Sequence, residues 1–254
     1  MNPWVHGLAA AIALLVAAVL PVILALLIAP PTSVPGQRAL PDFTAIDQVE
    51  ERKRVFFAYL EPIVDEVNGE IRQKRERLYR IRGTLADSGE LLGRDRRWLE
   101  RLGERYGVSA EGPVERTEDL LHRIDYIPAS LALAQAAIES GWGRSRFARE
   151  GNNLYGEWCF RDGCGLVPQA RAGGARHEVR VFASAGDAVR SYMHNLNSHR
   201  AYRELRDIRA RARAAGREAT GLELAEGLGR YSERGQAYVV EVRTVIRSNN
   251  LDER

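Results

Sequence analysis

The chain has 254 residues, enough to bury a substantial core in one or two domains. Its 37 basic residues are nearly balanced by 34 acidic ones, giving a net charge of +3, and lysine occurs only at Lys53 and Lys74. An arginine bias balanced in this way is not a nucleic-acid footprint, which needs clustering on one face. Leu8 to Ala29 carries no charge and is long enough to cross a bilayer. The segment 1–29 is a transmembrane anchor or a signal segment. The anchor is favoured because no Lys or Arg precedes the apolar run and no A-x-A site follows it. Pro30, Pro31, Pro35 and Pro41 then predict a stiff, extended linker over 30–42.

Residues 43–116 form a predicted helical extension. Val55, Phe56, Tyr59 and Leu60 make one apolar stripe, and Pro62 is expected to open a second helix carrying Ile63, Val67, Ile71, Leu78 and Ile81. A third helix is expected from Asp87 to Tyr106, with Gly83, Gly89, Gly103 and Gly107 marking ends or turns. No chemistry is evident here; the extension is expected to pack against the C-terminal part of the chain. Thr117 to Tyr126 reads as a further helix with Thr117 as its N-cap.

From Pro128 to Ile138 the residues are small or apolar on every side, which predicts a buried helix. Gln135 and Glu139 break the pattern and share a face, being four apart. Gly141 and Gly143 end the helix. Glu139 is then a carboxyl in the last turn of a buried helix. Burial and the negative end of the dipole both raise its pKa, as a general acid requires. From the residues alone, a helix-end glutamate paired with an arginine is an equal alternative.

Gly151 to Gly156 reads as a turn, with Asn152 and Asn153 holding it through side-chain bonds. His177 to Phe182 alternates as a strand does and can form a small sheet with Tyr155 to Leu166. Cys159 and Cys164 are close enough in sequence for a disulfide in an oxidising compartment. A zinc site with His177, His194 or His199 fits no defensible ligand spacing. Ser184 and Asp187 form a capping pair for a helix lined by Val189, Tyr192, Met193 and Leu196. Tyr202 to Ala214 is a helix whose Arg203, Arg206, Arg209 and Arg213 read as a solvated face, with contact to anionic lipid or wall polymer as the alternative. Leu222 to Leu228 is a short helix.

The stretch AQAAIESGWGRSRFAREGNNLYG resembles the bacterial glucosaminidase family of peptidoglycan hydrolases, with its A-Q-A-x-x-E-[ST]-x-W-G-x-S and N-N-L-[FY]-G motifs. EWCF, GCGLVP, HEVRVF and YMHNLNSHRAYRELR resemble the Bax-like subgroup, and the similarity runs from about Phe56 to Asn249. The resemblance implies a mainly α, lysozyme-like α+β fold, with a small β-hairpin lobe, an N-terminal helical extension and a catalytic domain over 117–254. It places the family's catalytic acid on Glu139 and implies hydrolysis of the β-1,4 bond after N-acetylglucosamine, without a cofactor or metal. YSERGQAY is close to a family segment whose tyrosines line the sugar site, which implies Tyr231 near the acid and Tyr238 in the cleft or supporting it. Gln135, Trp142, Asn153, Tyr155 and Trp158 become candidate substrate contacts, core packing being the alternative for the aromatics.

The second catalytic group is expected at Glu178, ahead of Glu157 and Asp162, unless the substrate's own acetamido group serves. A lytic transglycosylase and an inactive, membrane-tethered wall-binding protein are the rival activities. The implied partners are peptidoglycan glycan strands and the cytoplasmic membrane, with the bulk of the chain on its periplasmic side.

Overall fold

The computed structural model describes residues 35–169 and 176–253. The anchor expected over Leu8–Ala29, with Pro30 and Pro31, lies outside the described residues. Among the described residues no helix is long and apolar enough to cross a membrane.

The apolar stripe of the extension belongs to one helix, α1 (Val49–Ser88), about 60 Å long at 1.5 Å per residue. Pro62 lies inside it and does not open a second helix. The carbonyl that loses a partner there is that of Ala58, an exposed residue, so water can take the bond. Gly89 ends α1 in the left-handed conformation and Gly107 ends α2 (Gly93–Tyr106) in the same way. Gly83 and Gly103 sit within these helices and end neither.

Helix α3 (Pro113–Arg123) starts earlier than expected, with Pro113 in its first turn and Gly112 as N-cap. Thr117 is an interior residue whose hydroxyl donates back to Pro113 O at 2.7 Å. The all-apolar stretch is α4 (Ala129–Ser140), capped by Gly141. It is enclosed by α1, by the short α8 (Gly221–Leu224) and by α9 (Gln236–Ser248). Helices α5 (Arg146–Gly151), α6 (Ala185–Ser198) and α7 (Arg203–Ala214) complete the helical body. Ser184 caps α6 by accepting from Asp187 N. Leu222–Leu228 is α8 followed by a 3-10 turn.

The β lobe is a three-stranded antiparallel sheet of β1 (Trp158–Cys159), β2 (Gly165–Leu166) and β3 (Glu178–Arg180), with β3 central. Trp158 faces Val179, and Gly165 faces Arg180. Cys159 and Cys164 form a disulfide that closes the turn between β1 and β2. The fold is therefore mainly α with a small β lobe, as expected.

From Pro35 the linker lies against the helices. Gly36 N donates to Glu66 Oε2 at 3.1 Å, and Tyr59 Oη donates to the Arg38 carbonyl at 2.8 Å. Phe43 is fully buried in the core.

The arginines of α7 are not a solvated face. Arg206 and Arg209 are 3% and 2% exposed, and only Arg203 of the four stands largely in solvent. Arg209 donates to the carbonyls of Arg123, Asp125 and Tyr126, and to Asn197 Oδ1. Arg206 holds the carbonyls of Leu196 and His199. The counter-charge of Arg209 is Asp125, 2% exposed, which also meets Arg75 of α1 and Arg213. This cluster joins α1, α6 and α7 to the segment that leads into α4. Removing one member of a buried ionic cluster leaves the others unpaired, at about 3–5 kcal/mol. Asp125→Ala is expected to lower the unfolding free energy by that order in urea titration.

Candidate active site

Helix α4 has no free face, so its two long polar side chains are directed by their neighbours. Gln135 is fully buried. Its Oε1 accepts from Tyr192 Oη at 2.7 Å, and its Nε2 donates to Tyr238 Oη at 2.9 Å. The Tyr238 hydroxyl in turn bonds to the Glu139 carboxylate. Gln135 thus holds the tyrosines and is not a substrate contact. Tyr238 is also fully buried, and its ring stacks on Tyr231 at 5.4 Å.

Glu139 is half-buried and lines a cleft of about 1120 Å³ between the helical body and the β lobe. Burial raises its pKa above the ordinary glutamate value; the Tyr238 bond and the nearby Arg234 oppose this in part. The NNLYG turn passes close above it. Gly156 has φ +68°, which favours glycine, and a Cβ there would lie 3.3 Å from Glu139 Oε2, close enough to crowd the carboxylate.

The remaining expected site residues separate into two groups. Tyr155, Trp158 and Tyr231 line the cleft. Tyr155 stacks on Tyr192 at 3.9 Å, and its carbonyl accepts from Tyr231 Oη at 2.9 Å. Burial raises the Tyr231 pKa well above its ordinary value, so this phenol stays neutral. Trp158 is 55% exposed and stacks on His177 at 4.1 Å.

Trp142 and Asn153 are absent from the lining. Trp142 packs edge-on against Phe56 and Phe57 of α1, at 5.9 and 5.4 Å. Next to it, a Cβ on Gly143 would lie 2.2 Å from Phe43 Cδ2. The W-G pair therefore receives the extension. Asn153 is buried and clamps the entry to the sheet, donating to the carbonyls of Glu157 and Arg180 and accepting from Glu157 N. The serines of the same motif are local caps. Ser140 Oγ accepts from Gly143 N, and Ser145 Oγ accepts from Ala148 N at the start of α5.

Glu178, the expected second carboxylate, is directed elsewhere. It is 8% exposed, and its two oxygens accept from Gly163 N at 3.1 Å and Gly165 N at 2.8 Å. It organises the disulfide-closed turn and does not line the cleft. Glu178 lies beside Cys159 and Cys164, but cysteines joined to each other cannot serve as thiolate ligands. Asp162 sits exposed in that turn, also outside the cleft lining.

Glu157 shares the cleft with Glu139; Glu104 and Glu233 also line it but are exposed, whereas Glu157 is half-buried. Its Oε2 accepts from Ser191 Oγ at 2.7 Å, and Arg180 lies 3.8 Å away. Burial raises its pKa, while Ser191 and Arg180 favour the anion. Ser191, His194, Asn195 and Ser198 of α6 also line the cleft, unanticipated from the sequence. Their spacing of three and four residues was the available signal: one polar stripe beside the apolar one. A carboxyl whose pKa burial raises and a second carboxyl held by a hydroxyl donor and an arginine, in one cleft with exposed aromatic surface, are the parts of an acid-assisted glycosyl transfer.

The glucosaminidase family, described as mannosyl-glycoprotein endo-beta-N-acetylglucosaminidase, matches residues 115–251. The chain belongs to the glucosaminidase family. It is thus a member of a glycoside hydrolase family, and the matched region contains Glu139 and Glu157. The Bax protein of Escherichia coli strain K12 is 32% identical over 202 residues, which cover 79% of this chain and 70% of that one. The solved catalytic domain of the autolysin Auto from Listeria monocytogenes is 16% identical, covering 83% of this chain and 91% of that domain, with a TM-score of 0.42.

The bond from Tyr238 stabilises the ionised form of Glu139, so its loss moves the Glu139 pKa further up. Tyr238→Phe is expected to shift the carboxyl titration, followed by carbon NMR, to higher pH. It also leaves the buried Gln135 amide without an acceptor, at about 1–3 kcal/mol of stability. An unmoved titration would mean that the hydroxyl does not reach Glu139 in solution.

Proposed function

We propose that this protein hydrolyses the β-1,4 bond after N-acetylglucosamine in peptidoglycan glycan strands, with Glu139 as the general acid. The observation that carries this reading is the setting of Glu139: a carboxyl at the end of a buried helix, opening into a cleft of about 1120 Å³, with burial raising its pKa. A general acid must be protonated at the working pH, and desolvation supplies that without a charged partner. Tyr231 and Tyr238 serve to position it. Trp158 offers an aromatic face for the apolar side of a sugar ring, and Tyr155 forms part of the same wall.

Glu157 is the preferred second group in place of Glu178. It can act on water or on the anomeric carbon directly, or it can orient the substrate's acetamido group. Attachment through Leu8–Ala29, with the cleft on the periplasmic side of the inner membrane, belongs to the same proposal.

Two measurements on purified peptidoglycan test it. Mass spectrometry of the released fragments is expected to show reducing N-acetylglucosamine ends. Anhydro ends would make the protein a lytic transglycosylase, and no fragments at all would leave it a binding protein. Glu157→Gln is expected to reduce turnover by about 10²-fold or more, whereas Glu178→Gln mainly loosens the β lobe. The reverse order would return the second role to Glu178.

A further inference from the structure

The cleft lining extends beyond the surroundings of Glu139 and Glu157. It follows α6, whose Ser191 binds Glu157 and whose Ser198 lies seven residues further on, about 10 Å along the helix axis. At His194 the cleft gains a wall from outside the region matched to the family, which begins at residue 115. It is made by the end of α2: Glu104, Arg105, Tyr106 and Gly107 line the cleft, and Tyr106 sits edge-on to His194 with ring centroids 4.7 Å apart. The helical extension is therefore a wall of the cleft as well as a support for the helices.

The charge of this end differs from that of the other. Near the carboxylates, Arg180 lies by Glu157 and Arg234 is paired with Glu241. At the far end, the side chains of Arg105 and Arg200 have neither an ion pair nor a hydrogen bond among the described residues, although both line the cleft. Arg200 also lines an adjoining cavity of about 310 Å³ with Arg123, Arg203 and Arg206, where Asp119 is the one acidic lining residue, and a second of about 440 Å³ where Glu204 and Asp207 face Arg203, Arg211 and Arg230. Glu104 is the acidic residue on the α2 wall. Burial and the nearby Arg105 and Lys74 lower the His194 pKa, so His194 adds no charge near neutral pH.

We propose that Arg105 and Arg200 bind carboxylates carried on the glycan, so that the extension selects strands bearing acidic peptide or lactyl substituents over neutral strands. This deepens the peptidoglycan reading and rests on it. N-acetylglucosamine itself is uncharged, so the carboxylates must come from its partner sugar and the peptide on it. Guanidinium groups suit this task because their planar donors match a carboxylate with two parallel bonds.

The test is a binding measurement with the full chain carrying Glu139→Gln, so that strands are not consumed. Two probes are used: glycan strands from purified peptidoglycan, and the same strands with their carboxylates methyl-esterified. Native strands are expected to bind about tenfold tighter than esterified ones, with the preference shrinking as salt is raised. Arg105→Ala and Arg200→Ala should each reduce that preference and together remove it. Arg105→Lys should retain part of it, because the charge remains. A preference that survives the double substitution overturns the proposal. Cleavage of native strands by the unsubstituted chain is followed in parallel. Cleavage with no preference for native strands rejects this proposal alone. A preference without cleavage rejects only the hydrolysis reading. Failure to bind either strand rejects both.

Discussion

The structure depends on burying α4 on all sides. A helix of alanine and leucine can be enclosed without polar cost, but Gln135 cannot. Its amide needs a donor and an acceptor inside the protein. Tyr192 and Tyr238 supply them, from α6 and α9 respectively. Once Tyr238 accepts from Gln135, its own proton is left for Glu139. The demand of one buried amide thus fixes two tyrosines, and one of these tyrosines fixes the carboxyl at the cleft. The same arrangement sets its protonation. Burial favours the neutral acid, and the Tyr238 bond moderates that shift.

The extension is bound to this centre at both ends. Phe43, Phe56 and Phe57 pack against the turn after α4, where Gly143 leaves room for Phe43 and Trp142 covers the two phenylalanines of α1. Further along α1, Asn68 exchanges two hydrogen bonds with the backbone of Ile127, and Arg75 reaches Asp125. These contacts set the position of the chain as it enters α4. Finally, α2 reaches the cleft itself. The helical extension therefore shapes both the helix that carries Glu139 and the cleft that Glu139 lines.

Much of this was legible in the sequence because local chemistry decided it. The uniform apolar character of Pro128–Ile138 gave a buried helix, and Gly141 and Ser184 gave its end and the start of α6. The five-residue separation of Cys159 and Cys164 gave a hairpin staple. What was not legible depended on partners distant in sequence. Arg206 and Arg209 look solvent-facing until five backbone carbonyls, and Asp125 for Arg209, are brought to them. Pro62 looks like a break until the rest of α1 is packed. Trp142 and Asn153 carry chemistry suited to a sugar, but one is held by α1 and the other by the sheet entry. Glu178 and Glu157 differ in a way that spacing cannot convey. The first points back into a turn with two N–H groups to satisfy, and the second comes directly after the glycine that lies over Glu139.

The central claim is that Glu139 donates the proton, and Glu139→Gln tests it most directly because it keeps the shape and removes the acid. The measurement is turnover on purified peptidoglycan, with glycan binding and thermal unfolding followed on the same protein. The account predicts a loss of about 10²–10⁴-fold in turnover. Binding should be little changed, and stability should be equal or slightly higher, since a desolvated carboxyl has been removed. Hydrolysis near the wild-type rate would contradict the account and make Glu139 a structural residue.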